Sequence, residues 1–343
     1  MERMGRLRTR IRSRLWPTRR LFEGRHAELS HQIAELRRLV DQVADEQRAR
    51  LVAVEASQER SNAGQAELRT RLRRTQALAA RTYEALQRWP EQLAVARAAP
   101  GYEQAYTDPD PLVTVAISTY HSPDTLCDRA LASVRRQTHS RWEAIVVGDH
   151  CTDDTEQRVA ALGDERIRFL NLAVRENDPA DPWERYAVKG SIPRSTAVEF
   201  ASGSWIAPLS HDDAWDQDHL ATLLAEGRQG RAEVVYSAMR LVDSRSLTPI
   251  PGRSIGAWPP RLGDFAWQSA IFNGALKFLR LDRTCALASE PNDWNLARRA
   301  WDAGVRFQFV ERQTSTLFVS PRMEQIVAEL AEAGLPPDAM AYP

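Results

Sequence analysis

Three apolar runs in this chain end in residues able to bind a charged substrate: Ser118-Thr119-Tyr120, Gly148-Asp149-His150-Cys151 and Ser210-His211-Asp212-Asp213. A fourth stretch, Glu290-Pro291-Asn292-Asp293, places two carboxylates just ahead of a helical pattern. Two of the runs end in acids, and no basic, glycine-rich loop is there to cradle a phosphate. That combination points to a divalent cation held between protein carboxylates and a diphosphate. No GxGxxG follows the first run and no GxxxxGK[ST] occurs anywhere, which disfavours a dinucleotide oxidoreductase and a P-loop kinase. An aspartate pair ahead of a helix also suits capping of that helix, so Asp212 and Asp213 carry both readings on spacing alone. Two further Asp-x-Asp stretches are set aside. Asp108-Pro109-Asp110 lies between prolines and reads as linker, and Asp216-Gln217-Asp218 falls in a first helical turn and reads as capping.

The elements that must position these residues alternate. Strands are predicted over 112–118, 142–147, 167–172, 204–209 and 232–237, with helices over 124–137, 153–162, 192–201 and 215–226. Apolar strands separated by amphipathic helices imply a mostly parallel sheet covered on both faces. Ligands of such sheets bind beyond the C-terminal ends of the strands, which is where the chemistry-bearing residues fall. The stretch Asn177–Tyr186 reads as a mobile loop beside that edge.

The net charge of zero conceals a split: residues 1–98 hold 21 Arg and 12 acids, and the remainder holds 25 basic and 34 acidic residues. Residues 1–28 form a basic tail. Within it, Trp16, Leu21 and Phe22 among arginines in residues 1–22 are suited to peripheral contact with an anionic membrane surface, though a solvated tail has the same composition. Over 29–99 the sequence predicts a helical, coiled-coil-like segment. Leu29, Ile33, Leu36, Val40 and Val43 step by four and three, and Leu68, Leu72, Thr75, Ala79 and Thr82 repeat the step out of register. Such seams predict a helical hairpin or a homo-oligomer. Residues 100–111 read as linker, 112–320 as the α/β domain and 321–343 as a terminal helix or tail. No run of 18 apolar residues and no secretory pattern is found, and Cys127, Cys151 and Cys285 share no CxxC spacing. These features predict a cytoplasmic protein, peripheral at the inner face of the membrane if the basic tail engages lipid. A basic tail without a reader fold or aromatic platform predicts no specific nucleic-acid partner.

The ordered blocks add a resemblance. Val113 to Tyr120, Ala130 to Thr138 leading into Trp142–Asp149, and Pro193-Arg194-Ser195 through to Asp212-Asp213-Ala214-Trp215 resemble the family 2 glycosyltransferases, which have the GT-A fold. The resemblance runs from about residue 112 to about residue 319. It implies that Thr119 and Tyr120 line a nucleotide pocket, that Asp149 contacts base or ribose, and that Arg194 lies near the diphosphate. It also implies that Asp212 and Asp213 occupy the motif for Mg²⁺ or Mn²⁺, and that Asp293 is the base taking the acceptor's proton, with Glu290 as the fallback. His211 reads as structural. The chain departs from the family at Gly148, Ser210 and Asn292, where acids are usual. No late Gln/Arg-x-x-Arg-Trp motif follows Asp293, which points away from processive synthesis. The implied reaction is inverting, metal-dependent transfer of a sugar from a nucleotide-diphosphate donor to a hydroxyl of a glycan, lipid-linked or other acceptor, within polysaccharide synthesis. The alternative is a catalytically degenerate GT-A-like scaffold oligomerised by its N-terminal helices, a reading motivated by the three departures. The Trp-rich stretch from Trp258 to Asn273 is assigned to the acceptor side.

Overall fold

The structure is a computed structural model describing residues 38–40, 42–43, 88–175, 179, 181–288, 290–321 and 325. The chain divides into two units, Met1–Arg71 and Leu72–Pro343. Of the first, residues 38–40 and 42–43 are helical. The basic tail, most of both predicted seams and nearly all of 321–343 lie outside the described residues.

The second unit is built on one sheet. Strands β1 (Val113–Thr119), β2 (Trp142–Gly148), β3 (Ile167–Asn171) and β4 (Trp205–Ser210) are all parallel, with Val113 opposite Trp142 on one side and Trp205 on the other. Every residue of β1 is buried, as a strand flanked on both sides and covered on both faces must be. Beyond β4 the sheet turns mixed: β8 (Ala270–Asn273) is antiparallel to β4 and to β6 (Val234–Asp243), β9 (Phe307–Val319) is parallel to β6, and β5 (Ala214–Trp215) is antiparallel to β9. The order is β3-β2-β1-β4-β8-β6-β9-β5, with β7 (Pro249–Ile255) added beside β6. This is the α/β architecture expected from the sequence, a sheet with flanking helices, with parallel pairing concentrated in its first half. No described helix is long and apolar enough to cross a membrane.

Several boundaries differ from the expectation. Residues 100–111 are not free linker: a helix at 88–98 is followed by α2 (Pro100–Thr107), whose Tyr102, Ala105 and Tyr106 are buried. We label the helix at 88–98 α1; its Trp89, Leu93 and Ala96 join the same core as the sheet. Trp215, expected to open a helix, instead pairs with Ser315 in β5, and the helix α7 begins at His219 and runs to Gly230. Asp216 and Asp218 do not cap it: Asp216 makes a two-pronged ion pair with Arg240 at 2.6 and 2.7 Å, and Asp218 pairs with Arg312. The N-terminal amide of Leu220 is met by Gln137 Oε1 at 3.0 Å. The helix predicted over 124–137 is present but carries a π-helical stretch, Leu126–Leu131, flanked by α-helical turns; we label Pro123–Arg135 α3. Part of the predicted mobile loop folds as α5 (Pro182–Val188), N-capped by Asp181 accepting from Glu184 N–H at 2.9 Å. The remaining helices are α4 (Thr155–Ala160), α6 (Ser191–Glu199) and α8 (Asn292–Asp302).

A charged knot ties α1 and α2 to the sheet. Glu233, fully buried just before β6, accepts from Arg97 Nε and Nη2 at 2.7 and 2.8 Å, from the Tyr102 hydroxyl at 2.7 Å and from Arg306 N–H at 2.8 Å. Burial alone would raise this carboxyl; Arg97, the Arg306 amide and Tyr102 outweigh it and hold it below the usual range.

At the other end of the sheet, His219 is fully buried and stacked on Trp215 at 4.5 Å. Its Nδ1 lies 2.7 Å from Thr314 Oγ1, which donates onward to Ser237, so Nδ1 carries the proton. Nε2 is buried and, among the described residues, unpartnered. Burial pushes the imidazole down to about 3 from 6.5. The folded state thus refuses a proton that the unfolded chain accepts, and stability is lost as pH falls from about 6.5 towards 3. Between pH 7 and pH 5 this one site should remove about 2 kcal/mol. Denaturant titrations at the two pH values test the figure, and a pH dependence unchanged in His219→Gln would refute it.

Candidate functional site

The C-terminal ends of β1, β2 and β4 meet at one edge of the sheet, and the turn after each strand carries the residues singled out from the sequence. Thr119 is buried, and its Oγ1 has no described partner; its carbonyl accepts from Asp149 N–H at 2.9 Å, tying the first two strand ends together. Asp149 pairs with Arg175 Nε at 3.1 Å, and the same guanidinium lies 4.2 Å from the ring centroid of the half-exposed Tyr120. Tyr120 in turn stacks on His121 at 4.2 Å. An aromatic face, a carboxylate and a guanidinium therefore share one small patch, a set able to stack on a planar base and hydrogen-bond its edge.

Gly148, a departure from the family pattern, has a steric reason. A Cβ there would lie 2.7 Å from Asn171 Oδ1 and 2.9 Å from the Phe169 ring. Asn171 is not free to retreat: its amide accepts from Cys151 N–H at 2.8 Å and donates to the Cys151 carbonyl at 2.7 Å, clamping the turn that presents Asp149. All three cysteines are buried thiols. Burial raises the pKa of Cys151, so it is no activated nucleophile.

At the end of β4 the two aspartates diverge. Asp213 is buried, its Oδ1 accepting from Phe318 N–H at 3.1 Å in β9. Burial and the neighbouring Asp212 charge raise its pKa well above the ordinary value, against the pull of the Phe318 amide, Arg194 and Arg129. Asp212 stays half-exposed, and its carbonyl accepts from Arg129 Nη1 at 2.8 Å. The π-helical stretch of α3 carries Arg129, whose guanidinium also lies 3.8 Å from the Phe318 ring centroid. Both aspartates were expected as ligands; the structure gives Asp212 the open carboxylate and turns Asp213 inward to brace the turn. His211 is half-buried, with Nδ1 3.3 Å from the Ser118 carbonyl and a pKa lowered by burial, in keeping with a structural role.

The donor chemistry fits a hard divalent cation. Asp212 offers carboxylate oxygens, and the negative charge that raises Asp213 is what a cation would neutralise. Among the described residues no three His, Cys, Asp or Glu side chains gather around a common point. The remaining positions on Mg²⁺ or Mn²⁺ would fall to phosphate oxygens and water, a usual arrangement for Mg²⁺.

Arg194, on the first turn of α6, reaches back to the same edge, with Nε 3.4 Å from Ser118 Oγ. Gly190 precedes α6 at a φ of +70°, a left-handed backbone that favours glycine. Arg194 also lines a small, mostly apolar cavity of about 30 Å³ with Trp267 and Leu296. Trp267 leads to the last predicted residue, because its Nε1 donates to the Asp293 carbonyl at 2.9 Å. Asp293 stands in the first turn of α8, half-exposed, with Oδ1 accepting from Trp294 N–H at 2.7 Å. Glu290, the fallback base, is fully engaged: Arg298 holds both oxygens at 2.7 and 2.9 Å, and Asn295 adds a bond at 2.7 Å. Asn292, another departure, donates from Nδ2 to the Lys189 carbonyl at 2.9 Å and to Ser191 Oγ at 2.8 Å. A glutamate there could donate neither bond.

The structure thus brings Thr119, Tyr120, Asp149, Arg194 and Asp212 to one edge and turns Asp213 inward, while Asp293 stands in the first turn of α8, tied through its carbonyl to Trp267 of the cavity. Sequence reasoning missed Arg175 and Arg129, and reached Trp267 only as part of the Trp-rich stretch assigned to the acceptor side. Arg175 carried a usable signal, since it follows the end of β3 and strand ends were where the search was directed. Arg129 carried none, because an arginine on an amphipathic helix has a bland reading.

Residues 114–180 match the family described as Glycosyl transferase family 2. Among curated relatives, the chain is similar to UDP-Glc:alpha-D-GlcNAc-diphosphoundecaprenol beta-1,3-glucosyltransferase WfgD of Escherichia coli, 27% identical over 138 residues, which is 40% of this chain and 49% of that protein. It is also similar to the putative colanic acid biosynthesis glycosyl transferase WcaA of Escherichia coli K12, 30% identical over 35% of this chain and 39% of that protein. The chain spans about half or less of the length of these relatives. Among solved structures, S. aureus TarS 1–349 in complex with UDP aligns over 66% of this chain and 67% of that one, at 18% identity and a TM-score of 0.47.

Proposed function

We propose, on the match of residues 114–180 to glycosyltransferase family 2, that the chain is a member of that family and moves a single sugar, with inversion, from a nucleoside-diphosphate donor to an acceptor hydroxyl. A UDP-sugar is the donor class we favour, in line with the donor in the name of the WfgD relative. The acceptor is a glycan or lipid-linked saccharide in polysaccharide synthesis. The observation that carries the reading is that Arg194, on α6, reaches the strand ends that hold Asp149 and Asp212, with its Nε 3.4 Å from Ser118 Oγ at the end of β1.

Each residue has a task set by its surroundings. Tyr120, Arg175 and Asp149 hold the base and ribose. Arg194 offers a guanidinium fork to the diphosphate. Asp212 would hold Mg²⁺ or Mn²⁺, braced by Arg129 and by the inward-turned Asp213; the cation, when bound, neutralises charge on the leaving diphosphate. Asp293 takes the proton as the acceptor O–H breaks and the new glycosidic C–O bond forms at the anomeric carbon. The bond from that carbon to the phosphate oxygen breaks with its electron pair leaving on the nucleoside diphosphate.

Calorimetric titration with UDP, GDP, dTDP and CDP, with and without Mn²⁺, tests this directly. One nucleotide, UDP by this reading, should bind more tightly with Mn²⁺, and Asp212→Asn should lose that increment while keeping its melting temperature. Well-folded protein that binds none of the four would turn the reading towards a non-catalytic scaffold.

A further inference from the structure

The two tryptophans that bound the segment 258–267 differ in exposure. Trp267 is buried, its ring 5.2 Å from Phe265 and 5.7 Å from Phe272. Trp258 is 55% exposed and meets Trp301, itself 36% exposed, edge to face, with centroids 5.6 Å apart and planes at 73°. Trp301 is backed by Phe307 at 5.7 Å, and Phe307 by Phe265 at 6.0 Å. A continuous aromatic stack therefore joins the exposed pair to Trp267, whose Nε1 holds the Asp293 carbonyl. Helix α8 spans the same interval, with Asp293 in its first turn and Trp301 in its last. Their eight-residue separation is about 12 Å along the helix axis and about 80° around it, which puts both on one side. The pair sits in a polar frame. Arg261 and Asp264, three and six residues after Trp258, are joined at 2.6 Å, and Arg298 and Asp302, on either side of Trp301, at 3.2 Å. All four side chains are about a third exposed or more.

Resting on the transferase reading above, we propose that Trp258 and Trp301 form a remote acceptor subsite, a platform for a saccharide unit of the acceptor distant from the reacting hydroxyl. The chemistry of the surface selects this occupant. A sugar ring presents C–H groups on its faces and hydroxyls around its rim. An exposed indole packs on the first, and the flanking guanidinium and carboxylate groups donate to and accept from the second. Two rings in a charged frame are too small an apolar area for a stable protein interface, which buries about 800 Å² on each side. Continuity with the site gives the platform its place in the reaction. Both α8 and the segment 258–267 run from the pair to Asp293, the residue assigned to the acceptor hydroxyl. Binding energy won on a remote unit of the acceptor can then hold the reacting end in place. Sequence reasoning assigned Trp258 to the acceptor side as one of a stretch; it did not find Trp301, which reads as one more position of an amphipathic helix.

Trp258→Ala removes the more exposed ring and leaves Trp301 on Phe307. The probes are hexasaccharides of β-1,3-linked glucose, α-1,4-linked glucose and β-1,4-linked N-acetylglucosamine, titrated calorimetrically into the full-length protein with UDP and Mn²⁺ present. The wild type should bind at least one of them, and Trp258→Ala should weaken that binding about tenfold, or about 1.4 kcal/mol. Trp258→Phe, which keeps an aromatic face, should recover part of the loss. Melting temperature, UDP affinity and sedimentation should be unchanged in both variants. Equal hexasaccharide affinity in Trp258→Ala and wild type overturns the proposal, as does wild type that binds UDP and none of the three probes. A loss of UDP binding in the variant overturns it by placing the pair on the donor, and a change in sedimentation overturns it by making the pair a contact between copies. Wild type that binds no UDP overturns the transferase reading instead; hexasaccharide binding that still depends on Trp258 would then uphold the platform as a saccharide site.

Discussion

Asp293→Asn should lower the turnover number by 10²- to 10⁴-fold while leaving nucleotide binding and melting temperature unchanged. Removal of a positioned general base costs about this much. The substitution is chosen for what it preserves: the side-chain oxygen still accepts from Trp294 N–H, and the Asp293 carbonyl still receives Trp267 Nε1. The first turn of α8 therefore keeps these two bonds, while the negative charge and the capacity to take a proton go. Turnover within a fewfold of wild type would move the base elsewhere. Glu290 is a poor heir, because Arg298 and Asn295 occupy its oxygens. Nucleotide binding measured beside turnover separates a lost base from a lost donor site.

The largest effect on stability is expected at Arg97→Met. The substitution leaves Glu233 fully buried with the Tyr102 hydroxyl, the Arg306 amide and a guanidinium contact from Arg306 at 3.5 Å. Breaking a buried pair in this way costs about 3–5 kcal/mol. The remaining partners and the one-third exposure of Arg97 put the loss near about 3 kcal/mol. The sign with pH follows. Without Arg97, burial raises the Glu233 carboxyl, so in the variant the folded state holds a proton that the unfolded chain releases. The deficit relative to wild type should then shrink as pH falls from 7 towards 5. Denaturant midpoints for wild type, Arg97→Met and the double variant Arg97→Met/Glu233→Gln measure this. The double variant should recover part of the loss, since a neutral amide costs less to bury than an unpaired carboxylate. A single variant as stable as wild type would show that α1 is not fastened through this knot.

How much of this was legible in the residues depended on whether the signal was local. Val113–Thr119 reads as a buried strand because every position is apolar, small or β-branched, and its neighbours in the parallel half read the same way. The second half of the sheet did not. Strand β9 is broken by exposed Glu311, Arg312 and Gln313 at the register shift with β6, and β8 is four residues long inside a stretch that looks irregular. Asp149, Asp212 and Asp293 were legible because each closes a strand or opens a helix. What was not legible was the difference between Asp212 and Asp213. A distant amide, that of Phe318, turns one inward, and nothing within the motif records it. Glu233 was invisible for the same reason, since its three partners, Arg97, Tyr102 and Arg306, come from α1, α2 and the residue before β9.

The departures at Gly148 and Asn292 had favoured a degenerate scaffold. Asn292 is a working tether, and Gly148 is one half of a pair whose other half is Asn171. In evolutionary terms neither Gly148 nor Asn171 can change alone: a side chain at 148 strikes the amide, and a residue without that amide at 171 releases the turn carrying Asp149. An acid cannot be placed at 148 by a single substitution without loosening the turn that carries Asp149. Relatives that share this solution are recognised by glycine and asparagine occurring together at the ends of adjacent strands.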